Sequence, residues 1–175
     1  MASEIKVNTL SHTDGTTGLT VDSTGRILTP ARPAFRARIA GSSSAHGDNG
    51  TLVFETEDFD IGGNYNTSNG KFTAPIAGVY QFMFRGLSAT NDSGSANSNE
   101  GVYGYFYKNG SIIEGTTFYH YSTATYHATL NETTLQQLSA NDEITVYIAC
   151  QFIYSDTIQY HDPVFEGYLV GLVQN

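Results

Sequence analysis

Between residues 79 and 84, Tyr80, Phe82 and Phe84 fall on every second position. An extended chain sends successive side chains to opposite faces, so this run is a β-strand with an aromatic face to bury. Phe35, Ala37 and Ile39 repeat the pattern, and residues 51–54, 102–107, 118–121, 124–130, 144–152 and 164–173 read as further strands. Asn109-Gly110 between two alternating runs is the strongest short hairpin signal, with 111–113 returning beside 102–107. Segment 132–138 is short and Thr-rich, which favours strand over helix. Serine, glycine and polar clusters at 42–50, 88–100 and 139–142 separate the strands. Eight or more short strands in one domain predict an all-β sandwich or jelly roll.

The chain has 175 residues, the usual size of one domain with an extension. Its aromatics are 12 Tyr and 10 Phe without Trp, side chains that suit pleated, half-buried surfaces. A formal charge of −9 with no basic cluster argues against nucleic-acid binding. Met1-Ala-Ser-Glu-Ile-Lys lacks the apolar core of a secretory signal, and no run has the roughly 18 apolar residues of a membrane span. The expectation is synthesis in a cytoplasm without membrane insertion. Cys150 is the only cysteine and lies in the apolar run 144–152, so no intrachain disulfide forms and a buried thiol is expected.

Residues 1–34 differ in kind from 35–175. Residues 4–8 read as a short strand, Leu19 and Val21 alternate with Thr20 and Asp22, and Ile27-Leu28 begins another run. Asp14-Gly15 and Thr24-Gly25 are turns, and Pro30 and Pro33 mark a hinge before Phe35. Such an arm buries too little to offset an ordering cost of roughly 1–2 kcal/mol per residue. It is either a frayed terminus or an arm that pairs with a neighbour, and its ordered alternation favours the second.

Phe54, Asp60, Tyr65, Phe72, Gly78, Tyr80, Phe82 and Phe84 occupy all the positions of the C1q-like signature, and Asn64-Tyr65-Asn66 and Gly70-Lys71-Phe72-Thr73-Ala74-Pro75 resemble the family's wording. Lys108-Asn109-Gly110, the turn before 144 and Phe165-Glu166-Gly167-Tyr168-Leu169 extend the resemblance over about 35–172. It implies a C1q and tumour-necrosis-factor-like jelly roll assembled as a homotrimer. The chain has no collagen stalk, so complement-type biology is not implied. Its N-terminal wording, from Ser3 and Glu4 through Ile5, Lys6, Val7 and Asn8 to Leu10, resembles instead the arms of bacteriophage structural proteins. Together the two resemblances imply a virion subunit, a fibre, knob or capsid-decoration protein. Its arm, with Ile5, Val7 and Leu10, would grip other virion proteins.

On 102–107, Val102, Gly104 and Phe106 are assigned to the core, leaving Tyr103, Tyr105 and Tyr107 on the opposite face. An exposed aromatic row calls for cover, either from a partner or from the same chain. The expected trimer contact is this row with Phe165, Tyr168 and Leu169.

The sequence contains no GxSxG, HExxH, Walker, CxxC or Rossmann motif, which argues against an enzyme. His120, His127 and His161 among tyrosines are candidates for a metal site, more simply read as structural or surface residues. Glu55, Glu57, Asp58 and Asp60 offer oxygen ligands for calcium, which some C1q relatives bind, but lack a dedicated Asp-rich loop; a solvated acidic segment is the simpler account. No other cofactor is expected. The loop 88–100 and the Tyr-His segment 118–127 are candidate contacts for a host surface glycan or protein, the alternative function.

Overall fold

The computed structural model describes residues 6–29, 31–40, 44–46, 50–90, 100–122, 127–151 and 158–172, with side chains described except at 44–46, 87–90, 100–102, 120–122, 127–128, 150–151 and 158–162. Every regular element among these residues is a strand. An N-terminal group comprises β1 (Thr9–Ser11), β2 (Thr17–Val21) and β3 (Ile27–Leu28). The body follows with β4 (Ala34–Arg38), β5 (Ser44–His46), β6 (Gly50–Thr51), β7 (Thr56–Ile61), β8 (Tyr65–Asn66), β9 (Lys71–Thr73) and β10 (Gly78–Thr90). Then come β11 (Glu100–Lys108), β12 (Ser111–Ile112), β13 (Phe118–Ser122), β14 (His127–Leu138), β15 (Glu143–Gln151) and β16 (Ile158–Gly171).

The body strands form two antiparallel sheets. One has the order β14-β10-β16-β4-β7 with β5 beside β16, and the other β12-β11-β15-β9-β8 with β13 beside β11 and β6 beside β15. Their inner faces meet in one aromatic core, because period-two alternation sends Tyr80, Phe82, Phe84, Phe165 and Leu169 from the first sheet toward Phe72, Phe106, Ile144, Val146 and Ile148 of the second. Phe35 stacks on Tyr65 and on Phe72, both at 5.0 Å, and meets Phe165 edge-on at 4.9 Å. Ring pairs of this kind contribute about 0.5–1.5 kcal/mol each beyond the area they bury. Gly167 lies between two of these rings, where a Cβ would stand 2.5 Å from Phe82 and 2.9 Å from Phe35.

The signature residues work as a unit. Phe54, Tyr65, Phe72, Tyr80, Phe82 and Phe84 are all buried in this core. At Gly78 a Cβ would press on Leu169 at 2.6 Å and on the Gly171 carbonyl at 2.8 Å. Asp60 Oδ2 accepts the Tyr65 backbone N–H at 2.7 Å, and the Tyr65 hydroxyl both donates to the Phe54 carbonyl and accepts its N–H, each at 3.2 Å. Burial pushes the Tyr65 phenol well above its ordinary pKa.

Several sequence expectations shift and others hold. The first described strand is 9–11, not 4–8; residues 1–5 lie outside the described residues. Near 51–54 the strand is Gly50–Thr51, the Leu52 N–H extends its pairing to the Val146 carbonyl at 2.8 Å, and the Phe54 backbone then bonds to the Tyr65 hydroxyl in place of a neighbouring strand. The acidic segment is itself an edge strand, β7, made compatible with the sheet by arginines of β4. Segment 132–138 belongs to β14, with Leu130 and Leu138 turned to the core. β10 runs on to Thr90 and β11 starts at Glu100, so the described part of the expected loop at 88–100 is strand and 91–99 lie outside the described residues. At the expected hairpin Asn109 and Gly110 take φ values of 51° and 79°, the left-handed pair of a type I′ turn.

Candidate functional site

Each body sheet also has an outer face, and the two differ. On the six-stranded sheet, register aligns Leu135, Gln81, Tyr168, Ala34 and Ile61 across five strands, and beside them Thr133, Met83, Glu166, Arg36 and Phe59. Leu135 (60%), Phe59 (48%) and Tyr168 (47%) are strongly exposed, and Val170 extends the patch. A groove of about 210 Å³ opens between Phe59, Met83 and Tyr168, floored by Phe35 and Gly167. The Tyr168 hydroxyl donates to Gln81 Oε1 at 2.8 Å and so fixes the ring.

Charges border the groove. Arg36 Nε lies 3.1 Å and Arg38 Nε 2.8 Å from the two oxygens of Asp58, and Arg36 also reaches Glu166 at 3.4 Å. The Arg38 hydrogen bond, with Arg36 adding to it, holds the Asp58 carboxyl below its ordinary pKa. Contiguous apolar surface rimmed by polar groups marks an interaction site.

The outer face of the seven-stranded sheet is a tyrosine ladder. Tyr103, Tyr105 and Tyr107 stand half-buried along β11, at ring separations of 5.8 Å and 6.5 Å. Tyr107 stacks on Tyr147 of β15 at 4.5 Å and 3°. Partial burial, followed by the neighbouring phenols of Tyr147 and Tyr105, raises the Tyr107 pKa. Next to the stack a cleft of about 240 Å³ is lined by Thr51, Thr145 and the ion pair of Lys71 with Glu143, whose charged atoms are 2.7 Å apart.

The six residues expected to form one subunit contact therefore do not share a surface. Tyr103, Tyr105 and Tyr107 face out from one sheet and Tyr168 from the other, while Phe165 and Leu169 lie in the core. Alternation is the reason: Phe165, Gly167 and Leu169 share the inward face, so only Glu166, Tyr168 and Val170 look outward. Sequence reasoning missed Phe59, Met83 and Leu135, which become neighbours of Tyr168 only once the strand order is known.

Two of the four carboxylates of the acidic segment, Asp58 and Asp60, are engaged within the chain. Asp58 pairs with arginines and Asp60 caps Tyr65, leaving Asp60 Oδ1 buried and accepting no hydrogen bond from the described residues. Among the described residues no group of three His, Cys, Asp or Glu side chains converges as a metal site. The side chains of His120, His127, His161 and Cys150 lie outside the described ones. Among the described residues no helix is long and apolar enough to cross a membrane.

The N-terminal strands make their own sheet, in the order β1-β2-β3. Leu10 of β1 and Val7 just before it are both exposed, and Ile5 lies outside the described residues.

Two sheets in this strand order, closed on one aromatic core, define a jelly roll of the complement and tumour-necrosis-factor type. The chain belongs to the C1q domain family, whose model matches residues 34–170, and the domain is non-enzymatic. It is 26% identical over 137 residues to the mouse complement C1q tumor necrosis factor-related protein 3, a match covering 78% of this chain and 50% of that protein. The chain thus spans half the length of that curated relative. Among solved structures it is similar to the globular domain of zebrafish complement 1qA, with a TM-score of 0.60 at 16% identity, covering 81% of this chain and 99% of that one. The S. frugiperda tumour necrosis factor Eiger is also similar, with a TM-score of 0.51 at 10% identity over 82% and 97% of the two chains. These likenesses show the fold. Domains of this class typically trimerise.

Proposed function

We propose that the protein is a homotrimeric structural subunit whose jelly roll trimerises through the outer face of the six-stranded sheet and whose N-terminal arm ties the trimer to a larger assembly. The observation that carries this reading is the patch of exposed Phe59, Leu135, Tyr168 and Val170 around half-buried Met83, apolar surface a lone domain has no reason to present. Burying a large side chain of this kind stabilises a contact by about 1.5–3 kcal/mol before ordering costs. In its finer form the proposal is a bacteriophage virion subunit, a head decoration, fibre or knob, and the virion is its location. What supports the finer form is the phage-like wording of residues 3–10 together with the exposed Val7 and Leu10 of the arm. The test is particle binding and solution mass for the full chain and for a chain lacking residues 1–29. The shortened chain should remain trimeric and fail to decorate particles, and undiminished binding would move attachment to the jelly roll.

The tyrosine ladder favours a second reading, an adhesion module recognising a host surface glycan or protein. Stacked rings beside a polar cleft suit a sugar face with its hydroxyls bonded at the rim. Replacing Tyr107 and Tyr147 by Ala should abolish cell binding under this reading and leave particle decoration unchanged under the first.

A further inference from the structure

The arm is an ordered meander. Asp14 Oδ1 accepts the Thr16 N–H at 2.8 Å, and Asp22 accepts from the N–H groups of Thr24 and Arg26, both at 2.9 Å, and pairs with the Arg26 guanidinium at 2.6 Å. Both turns are therefore set by aspartates that bond their own backbone. Register then decides what each face carries. Leu10 is paired with Leu19 and Val21 with Ile27, and Leu19 and Val21 are two residues apart, so all four lie on one face. Thr9, Thr20 and Leu28 lie on the other. One face of a three-stranded sheet thus carries four aliphatic side chains beside Thr17, and Leu10 is 55% and Ile27 66% exposed on it. A sheet this small needs that face covered, and among the described residues it has no strand pairing with the body.

The root of the arm limits what reaches that face. Arg32 Nε donates to the Leu169 carbonyl at 2.7 Å, its Nη2 donates to Val170, and the Leu169 N–H donates to the Pro33 carbonyl at 3.0 Å. The arm is therefore fastened to β16 where Tyr168 and Val170 leave the apolar outer face. Between the end of β3 at Leu28 and the start of β4 at Ala34, the connection 29–33 spans at most roughly 18 Å. In a trimer formed through that face, three arms start close together, and short tethers give them effective concentrations of about millimolar.

We infer that the aliphatic face of each arm, Leu10, Leu19, Val21 and Ile27, packs against the same face of the other two copies, so that the trimer continues from the jelly rolls into a three-fold arm. The inference rests on the trimer reading above. It leaves the face of Thr9, Thr20 and Leu28 outward, free to meet a further partner.

Cysteine scanning on the full chain tests it. Val21→Cys and Thr20→Cys put a thiol on opposite faces one residue apart, and the unaltered chain controls for Cys150. After mild oxidation of the purified protein, disulfide-linked dimers on a non-reducing gel should be at least about 10-fold more abundant for Val21→Cys than for Thr20→Cys. Solution mass is recorded alongside. A trimer that yields no excess of Val21→Cys dimers overturns the packed arm and leaves the trimer standing, whereas a monomeric mass overturns the trimer reading and the arm with it.

Discussion

The jelly roll and the arm are written in the same alternating code, yet among the described residues only the jelly roll closes on itself. In the body two sheets turn aromatic faces on each other, and Phe35, Phe82, Phe106 and Phe165 are at most 1% exposed. In the arm one sheet has a largely aliphatic face and, among the described residues, no second sheet to meet it. What separates a domain from an attachment element is therefore the number of layers. A single layer with one apolar face is unfinished on its own, and its completion belongs to the assembly.

The strongest way to break this contrast is to make equivalent deletions in both parts. Phe165→Ala should cost about 3–5 kcal/mol of body stability in urea unfolding, because it opens a cavity among five ring contacts. Leu19→Ala in the arm should leave the body's unfolding midpoint within about 0.5 kcal/mol of the original. An equal loss from both would mean that the two parts share one core. Gly167→Ala sharpens the same point by adding volume, and should destabilise by about 1–3 kcal/mol, since the Phe82 and Phe35 rings have to move. Thermal melting of that variant checks the value.

Charging the arm's aliphatic face with Leu10→Asp and Ile27→Asp should not lower the body's melting temperature. Trypsin cleavage at Arg26, whose side chain is 76% exposed, should accelerate roughly 10-fold as the arm opens, read by timed digestion. Unchanged cleavage would count against a packed arm. The smallest effect concerns acid. Hydrogen bonds from Lys108, Asn109 and the Ser139 N–H hold the Asp142 carboxyl down to about 2. A lowered folded value contributes stability that is complete above the ordinary carboxylate range and lost as pH falls toward 2. Asp142→Asn should remove under about 1 kcal/mol at pH 7 and flatten the stability curve between pH 4 and 2.

Period-two alternation made the body legible. Tyr80, Phe82 and Phe84, the Asn109-Gly110 hairpin and the eight signature positions all announce themselves along the chain, because each depends on near neighbours or fixed offsets. The contact face does not, since it depends on which strands lie side by side. Phe59, Met83, Leu135 and Tyr168 come from four strands that meet only through the order β14-β10-β16-β4-β7. Part of the correction was nevertheless available. Gly167 between Glu166 and Tyr168 marks a close inward approach, and with it Phe165 and Leu169 turn inward and Tyr168 outward. In the arm the alternation of Leu19 and Val21 was visible, but the partnership with Leu10 and Ile27 depends on the lengths of two turns. The single strand read at 4–8 gave no such register.

The most direct test of the account is sedimentation of the full chain beside Tyr168→Asp and Tyr105→Asp. A trimer formed through the six-stranded sheet gives three times the 19.0 kDa chain mass for the full chain and for Tyr105→Asp, and a dissociated Tyr168→Asp. A monomeric full chain, or a trimer that survives Tyr168→Asp and falls apart with Tyr105→Asp, would contradict it and place the contact on the tyrosine ladder or nowhere on these faces.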